Sequence, residues 1–189
     1  MIPQDLPALT LSCASSIYSR RAPNPRYALQ TYGLMMMTGA HESDGWQARR
    51  QYSFAQQERE TLDLNHRGAF GLHQLERGSV SDSLDRLHRN QPMLKRAIYW
   101  LQMQGFTAWA VLNLRDSAAQ VLDLMRTADG DPLSVLFCRL HYMRVPAAIP
   151  DTPEEWARYA KAHYNTHLGA ARPADYLRAW KALPTHVRI

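Results

Sequence analysis

The sequence predicts a mainly α-helical fold carrying one small lobe of irregular or short β structure. Three observations lead there. From Gly78 almost to the C-terminus, apolar residues recur at helical spacing in segments that stop at Gly or Pro. Between Gly45 and Gly78 the pattern changes to short aromatic and polar stretches, Gln51-Tyr52-Ser53-Phe54 and Ala69-Phe70-Gly71-Leu72, separated by Gln, Glu and Asn. The length of 189 residues, 46% of them hydrophobic, suffices for one substantial core. This places an N-terminal arm over residues 1–24 ahead of a single domain over 25–189.

The arm holds an apolar patch with weak helical spacing through Tyr18 and closes on Arg21-Ala22-Pro23-Asn24-Pro25. That proline-rich turn opens a largely buried helix from Tyr27 through Ser43, with Leu29, Tyr32, Leu34, Met36 and Met37 as its apolar positions and Gly33 loosening it. The Met cluster is core material, flexible enough to fill irregular gaps. After the small lobe, Ser81 to Arg89 reads as a short helix with Leu84 and Leu87 inward. Pro92 to Gln104 reads as an apolar helix stopped by Gly105, and Asp116 to Thr127 as the next. Pro132 to Arg144 is the most hydrophobic segment, with Val135, Leu136, Leu140, Tyr142 and Met143, and is expected at the centre of the larger lobe. Thr152-Pro153-Glu154-Glu155 is a capping box with proline at the first helical position, so a helix begins at Pro153 and runs to about Tyr164. A last helix spans about Pro173 to Leu183.

A formal charge of +5 and a pI near 9.4 suit an acidic polymer, a class that includes peptidoglycan and nucleic acid. The basic residues are scattered, as in Arg20-Arg21, Arg49-Arg50 and Lys95-Arg96, with no nucleic-acid-binding module, so nucleic acid is not the expected partner. Cys13 and Cys138, the only cysteines, exclude a disulfide-rich scaffold and a Cys-based zinc site and read as free thiols. The eight histidines show no metal-ligand spacing; His41, His73, His141, His163 and His167 read as packing or surface residues, and neither metal nor cofactor is expected. Asp5, and no Lys or Arg, precedes the modest apolar stretch Leu6 to Cys13, which is not a secretory pattern. No apolar run reaches the roughly 18 residues that span a bilayer. The expectation is a protein made in a cytoplasm without a signal peptide and without membrane insertion.

Chemistry enters at two segments, Gly39-Ala40-His41-Glu42-Ser43 and Gly68-Ala69-Phe70-Gly71-Leu72-His73-Gln74-Leu75-Glu76. Cleaving a glycosidic bond needs a carboxylic acid still protonated near neutral pH, above the ordinary value of about 4.3. Glu42 follows the apolar stretch Leu34-Met35-Met36-Met37, where the helix finishes. An apolar surrounding penalises its charged form, and so does the partial negative charge of a helix C-terminus. Asp44 adds like charge. Gly68 and Gly71 let the facing backbone approach a flat sugar ring, while Gln74 can donate to and accept from an N-acetyl group. Glu58, Glu60 and Asp63 are candidates for a second carboxylate, each also readable as part of a solvated charged loop. The alternative for the two segments is a surface glutamate ending a helix beside an ordinary turn.

Together the segments resemble the lysozyme-like superfamily, particularly goose-type lysozymes and lytic transglycosylases, and within it lysozyme-like proteins of tailed bacteriophages. There a Glu-Ser ends a buried helix and a Gly-Leu-Met-Gln-like strand lies opposite it across the glycan cleft; His73 stands here where Met or an aromatic residue is common. Trp156-Ala157-Arg158-Tyr159-Ala160-Lys161-Ala162-His163-Tyr164-Asn165-Thr166, ending in Gly169, resembles the late Trp/Tyr-rich helix and Tyr-Asn-Thr turn of the phage proteins. Cys138-Arg139-Leu140-His141-Tyr142 with Arg144-Val145-Pro146 resembles their preceding helix. The resemblance covers roughly Tyr27 to Leu183. It implies a two-lobed fold that cleaves the MurNAc to GlcNAc linkage of bacterial peptidoglycan, with Glu42 as general acid. It also implies that Ser43, Gly71, Gln74, Tyr164 and Asn165 bind substrate, Tyr164 orienting Glu42 and Asn165 holding sugar. An aromatic helix face packed on the core accounts for Tyr164 equally well.

Because no second acid stands out, the single-carboxylate route of a lytic transglycosylase, which releases 1,6-anhydro ends, is favoured over an inverting hydrolase. A protein without a secretory signal must be carried to the wall, which fits a phage particle or a lytic pore and makes other virion proteins possible partners. Two other classes stay open. One is a structural protein of a tail, baseplate or ejection apparatus built on the same fold; the other is a nucleic-acid binder using Arg and Trp/Tyr.

Overall fold

The computed structural model describes residues 5–18, 23–46, 69–165 and 170–188. In chain order these form α1 (Leu6–Ser16), α2 (Pro25–Glu42), β1 (Ala69–Phe70), β2 (Leu75–Glu76), α3 (Arg77–Arg89), α4 (Gln91–Met103) and a 3-10 segment (Thr107–Asn113). There follow α5 (Ala118–Leu124), α6 (Asp131–Tyr142), α7 (Pro153–Ala160), a π-helical turn (Lys161–Asn165) and α8 (Pro173–Ala182), with short 3-10 turns at Ala128–Gly130 and Thr185–Val187. The architecture is therefore mainly α with one small sheet, β1 pairing antiparallel with β2. The expectations on Gln51 to Phe54, Glu58, Glu60, Asp63, Gly68, Thr166, His167 and Gly169 lie outside the described residues.

Two helices form the centre. α2 starts where the Asn24 side chain accepts the Tyr27 N–H at 2.8 Å, with Pro25 at a position whose missing donor costs no helical hydrogen bond. Every residue from Thr31 to Ala40 is buried, as befits a helix enclosed on all sides. It packs against α1, α6, α7 and α8. Gly33 and Gly39 make that enclosure tight: a Cβ at Gly33 would lie 2.4 Å from the Trp156 ring, and one at Gly39 2.2 Å from the Trp46 ring. α6 is buried without interruption from Leu133 to Tyr142 and is joined to α2 by a 2.6 Å hydrogen bond between Thr38 Oγ1 and the Tyr142 hydroxyl.

The segment expected as an arm is helical and belongs to this core. Leu6, Cys13, Ala14 and Ile17 are buried, the helix packs on both α2 and α6, and Arg139 Nε donates to the Ile17 carbonyl at 3.1 Å. Contact with two neighbours also explains the weak periodicity, since no single face is left polar. Cys13 and Cys138 are free and buried. The capping box of α7 is present, with Thr152 N–H donating to Glu155 Oε2 at 3.3 Å and Glu155 N–H donating to Thr152 Oγ1 at 3.4 Å. α3 begins at Arg77 rather than Ser81, and in its first turn the Ser79 hydroxyl is joined to His141 Nδ1 at 2.8 Å. α5 begins only at Ala118, since the Ser117 hydroxyl is tied to the Val111 and Leu114 carbonyls at 2.8 and 2.7 Å. Among the described residues no helix is long and apolar enough to cross a membrane.

Two buried histidines set a pH dependence. Desolvation pushes His73 down to about 3 and His141 down to about 4, so both are neutral when folded and take up protons on unfolding below their ordinary 6.5. Their contribution is present above that value and lost as pH falls towards 4 and then 3. The urea midpoint is expected to drop between pH 6.5 and 4, and His141→Gln should flatten part of that drop. An unchanged slope in the variant would show that His141 charges without unfolding.

Candidate functional site at the end of α2

Glu42 is the last residue of α2, where the helix dipole presents its negative end. Ser43 turns the chain beneath it, its Oγ donating to the Gly39 carbonyl at 2.6 Å and accepting the Trp46 N–H at 2.9 Å. With no exposed surface, Ser43 ties the Gly39 carbonyl to the Trp46 N–H around Glu42 and is closed to solvent, where a substrate contact was expected of it.

The Glu42 side chain is half-buried and held from two further elements. Tyr176 of α8 donates its hydroxyl to Glu42 Oε1. Asn165, at the end of the π turn, hydrogen-bonds the same carboxyl and also Tyr176. Lys161 Nζ donates to Asn165 Oδ1 at 3.2 Å, which leaves the Asn165 amide nitrogen to donate to Glu42. The wider ring of a π turn, a distortion frequent at functional sites, thus carries both Lys161 and Asn165. Burial pushes the Glu42 carboxyl above the ordinary carboxylate range; hydrogen bonds from Tyr176 and Asn165 pull it back, Glu76 adds like charge and Lys161 opposes it. Burial also holds the Tyr176 phenol well above its ordinary value, with Glu42 adding to the effect. Tyr176 is therefore a standing donor at neutral pH.

The hairpin lies across α6. Gly71 and Gln74 both have positive φ, +75° and +47°, and a Cβ at Gly71 would lie 2.7 Å from Ser134 Oγ. Gly71 accordingly packs on α6 rather than on open space. Gln74 is half-buried, and its Nε2 donates to the Gly71 carbonyl at 2.9 Å, closing its own turn. His73 is buried with its N–H on Ser134 Oγ at 3.1 Å. Tyr164 does not hold Glu42: its hydroxyl donates to the His73 carbonyl at 2.5 Å and its ring packs on His141, centroids 4.6 Å apart. Adjacent residues of the π turn point to different partners, so Tyr164 anchors the hairpin while Asn165 anchors Glu42.

Beside the site runs a groove of about 890 Å³ between the end of α2 and α8, walled by His41, Trp46, Asp175, Arg178 and Val187 among others. Glu42 is not on its wall. Tyr176 stands between the two, its ring 4.0 Å from that of His41 and its hydroxyl on Glu42. Among the described residues no group of three His, Cys, Asp or Glu side chains is placed to hold a metal ion.

Tyr176, Lys161 and the charge of Glu76 are the members of this constellation that the sequence did not single out as site residues. Helical spacing puts Tyr176 with Trp180 on the inward face of α8, a pattern that reads as core; nothing local marks its hydroxyl as a partner of Glu42. No protein-family model matches this chain, and no curated protein or solved structure shows significant similarity to it.

Proposed function

We propose that this protein cleaves the glycan strands of bacterial peptidoglycan, as a muramidase or lytic transglycosylase on a two-lobed lysozyme-like domain carried by a bacteriophage particle or lysis system. One observation carries the reading: the carboxyl of Glu42 is raised in pKa by burial and held in one orientation by Tyr176 and Asn165. A proton donor to a glycosidic oxygen needs both properties. In the proposed step Glu42 gives its proton to the bridging oxygen as the bond to the anomeric carbon breaks. The phenol and amide then accommodate the carboxylate that forms.

Digestion of purified sacculi, with the products weighed by mass spectrometry, tests this. Soluble muropeptides are expected, carrying reducing ends after hydrolysis or 1,6-anhydro ends after transglycosylation. If the intact protein releases nothing, a structural role in the virion becomes the better account. Tyr176→Phe is expected to lower turnover by about 10- to 100-fold with little change in glycan affinity, because it loosens the acid without touching the sugar. It also removes a hydrogen bond that favours charged Glu42, so the alkaline limb of the pH–rate profile should move upward. A limb that stays in place would remove Tyr176 from the acid's environment.

A further inference from the structure

Lys161 stands where α7 gives way to the π turn, its backbone N–H bonded back to the carbonyls of Ala157 and Arg158. Its side chain is half-buried and reaches along that turn, Nζ lying 3.2 Å from Asn165 Oδ1. An ammonium group has three donors and no acceptor. The amide oxygen of Asn165 is therefore the atom that faces it, and the amide nitrogen, with its two donors, is turned away. Two acceptors meet those donors, the Glu42 carboxyl and the Tyr176 oxygen, both hydrogen-bonded to Asn165. Tyr176 in turn donates to Glu42 Oε1.

The hydrogen bonds thus run one way, from Lys161 through Asn165 and Tyr176 to Glu42. Neither an amide nitrogen nor a phenol that is already donating offers Glu42 an acceptor. A proton on the carboxyl then has no partner within the ring and stays available to a glycosidic oxygen. With the amide reversed, Asn165 Oδ1 would face the carboxyl, accept that proton and turn the acid inward. An uncharged, non-donating side chain at position 161 leaves both orientations open, whereas an ammonium excludes the second. The other titratable groups near Glu42 do not set this direction: burial keeps Cys138 and Tyr142 of α6 and Tyr164 of the π turn neutral, and the Glu76 carboxylate, which adds like charge, has no donor to give.

We propose that Lys161 is a positioning residue for the cleavage: by holding the Asn165 oxygen it aims the donors of the ring at Glu42 and leaves the proton of the acid for the substrate. This rests on the reading of Glu42 as general acid. A cation at the C-terminal end of α7 also suits the helix dipole, but that role alone would show in melting and leave the rate untouched.

The test compares the intact protein with Lys161→Met, Lys161→Arg, Asn165→Ala and the double variant of Lys161→Met with Asn165→Ala. Two readouts are taken: muropeptide release from purified sacculi, and the titration of the Glu42 carboxyl carbon by NMR in protein made with isotope-labelled glutamate, its resonance identified by its loss in Glu42→Gln. Lys161→Met should lower turnover by about 10-fold, the cost of a loosened acid, with little change in glycan affinity or melting. The Glu42 titration should move upward, because the variant loses a cation and a fixed donor that both favour the charged carboxyl. Arginine, which also only donates, should restore both readouts. In the Asn165→Ala background Lys161→Met should cost no further turnover, since the effect travels through the amide. The assignment is overturned by full turnover in Lys161→Met, by a loss that arginine does not relieve, or by a loss that recurs undiminished in the Asn165→Ala background. Failure of the wider reading looks different: the intact protein releases nothing, while the Glu42 carbon still reports whether Lys161 acts on it.

Discussion

Glu42→Gln is expected to reduce muropeptide release from sacculi by about 10²- to 10⁴-fold, the range that removal of a general acid costs, while the protein remains folded. The amide has the same shape and its oxygen can still accept from Tyr176, but it has no proton to give. Stability supplies an independent check. Because burial raises the folded pKa of Glu42, the native state holds a proton that the unfolded chain gives up between the ordinary carboxylate value and the raised one. Stability therefore falls as pH rises through that window, and the penalty is fully present above it. Glutamine removes the penalty, so at neutral pH the variant should unfold at an equal or higher urea concentration than the parent, with the difference closing in acid. If the protein belongs to a virion, particle assembly should be unaffected. Wild-type release by the variant would take Glu42 out of the chemistry.

The largest effect on stability is expected from Gly39→Ala. In an exposed helix this change would gain about 1 kcal/mol of helix propensity. Here the new Cβ would lie 2.2 Å from the Trp46 ring and 3.0 Å from His73 Nε2. The indole has little room to withdraw: Trp46 is 3% exposed, has φ of +73°, and its backbone N–H donates to Ser43 Oγ. Overpacking of this kind costs about 1–3 kcal/mol, occasionally more, so a net loss of about 2 kcal/mol is expected as a lower urea midpoint at unchanged slope. Any relief must move the Ser43–Trp46 turn, which sits directly after Glu42, so turnover should fall as well. A midpoint equal to the parent's would show that the Trp46 ring can leave without cost.

Where the determinants are local, the chain is legible from its residues alone. The capping box at Thr152 and the proline at Pro153 start α7 whatever surrounds them. The unbroken apolar run before Glu42 requires a buried helix and puts a carboxyl at its end. The small hairpin follows from the same kind of signal, a Gly with positive φ between short strands. The end of α7 is different: the capped helix gives way after Ala160 to a π turn, and that distortion points Tyr164 and Asn165 at separate targets.

The sequence by itself determined that this protein is mainly helical and that Glu42 ends an enclosed helix. Only the tertiary structure decided that α1 completes the core, that Ser43 and Gly71 face inward, and that the phenol on Glu42 is Tyr176 rather than Tyr164. Helix starts and stops are encoded within a turn or two of chain. The hydrogen bond from Tyr176 to Glu42 spans 134 positions and exists only because α8 packs along α2, a consequence of burying apolar surface that no residue beside Tyr176 specifies.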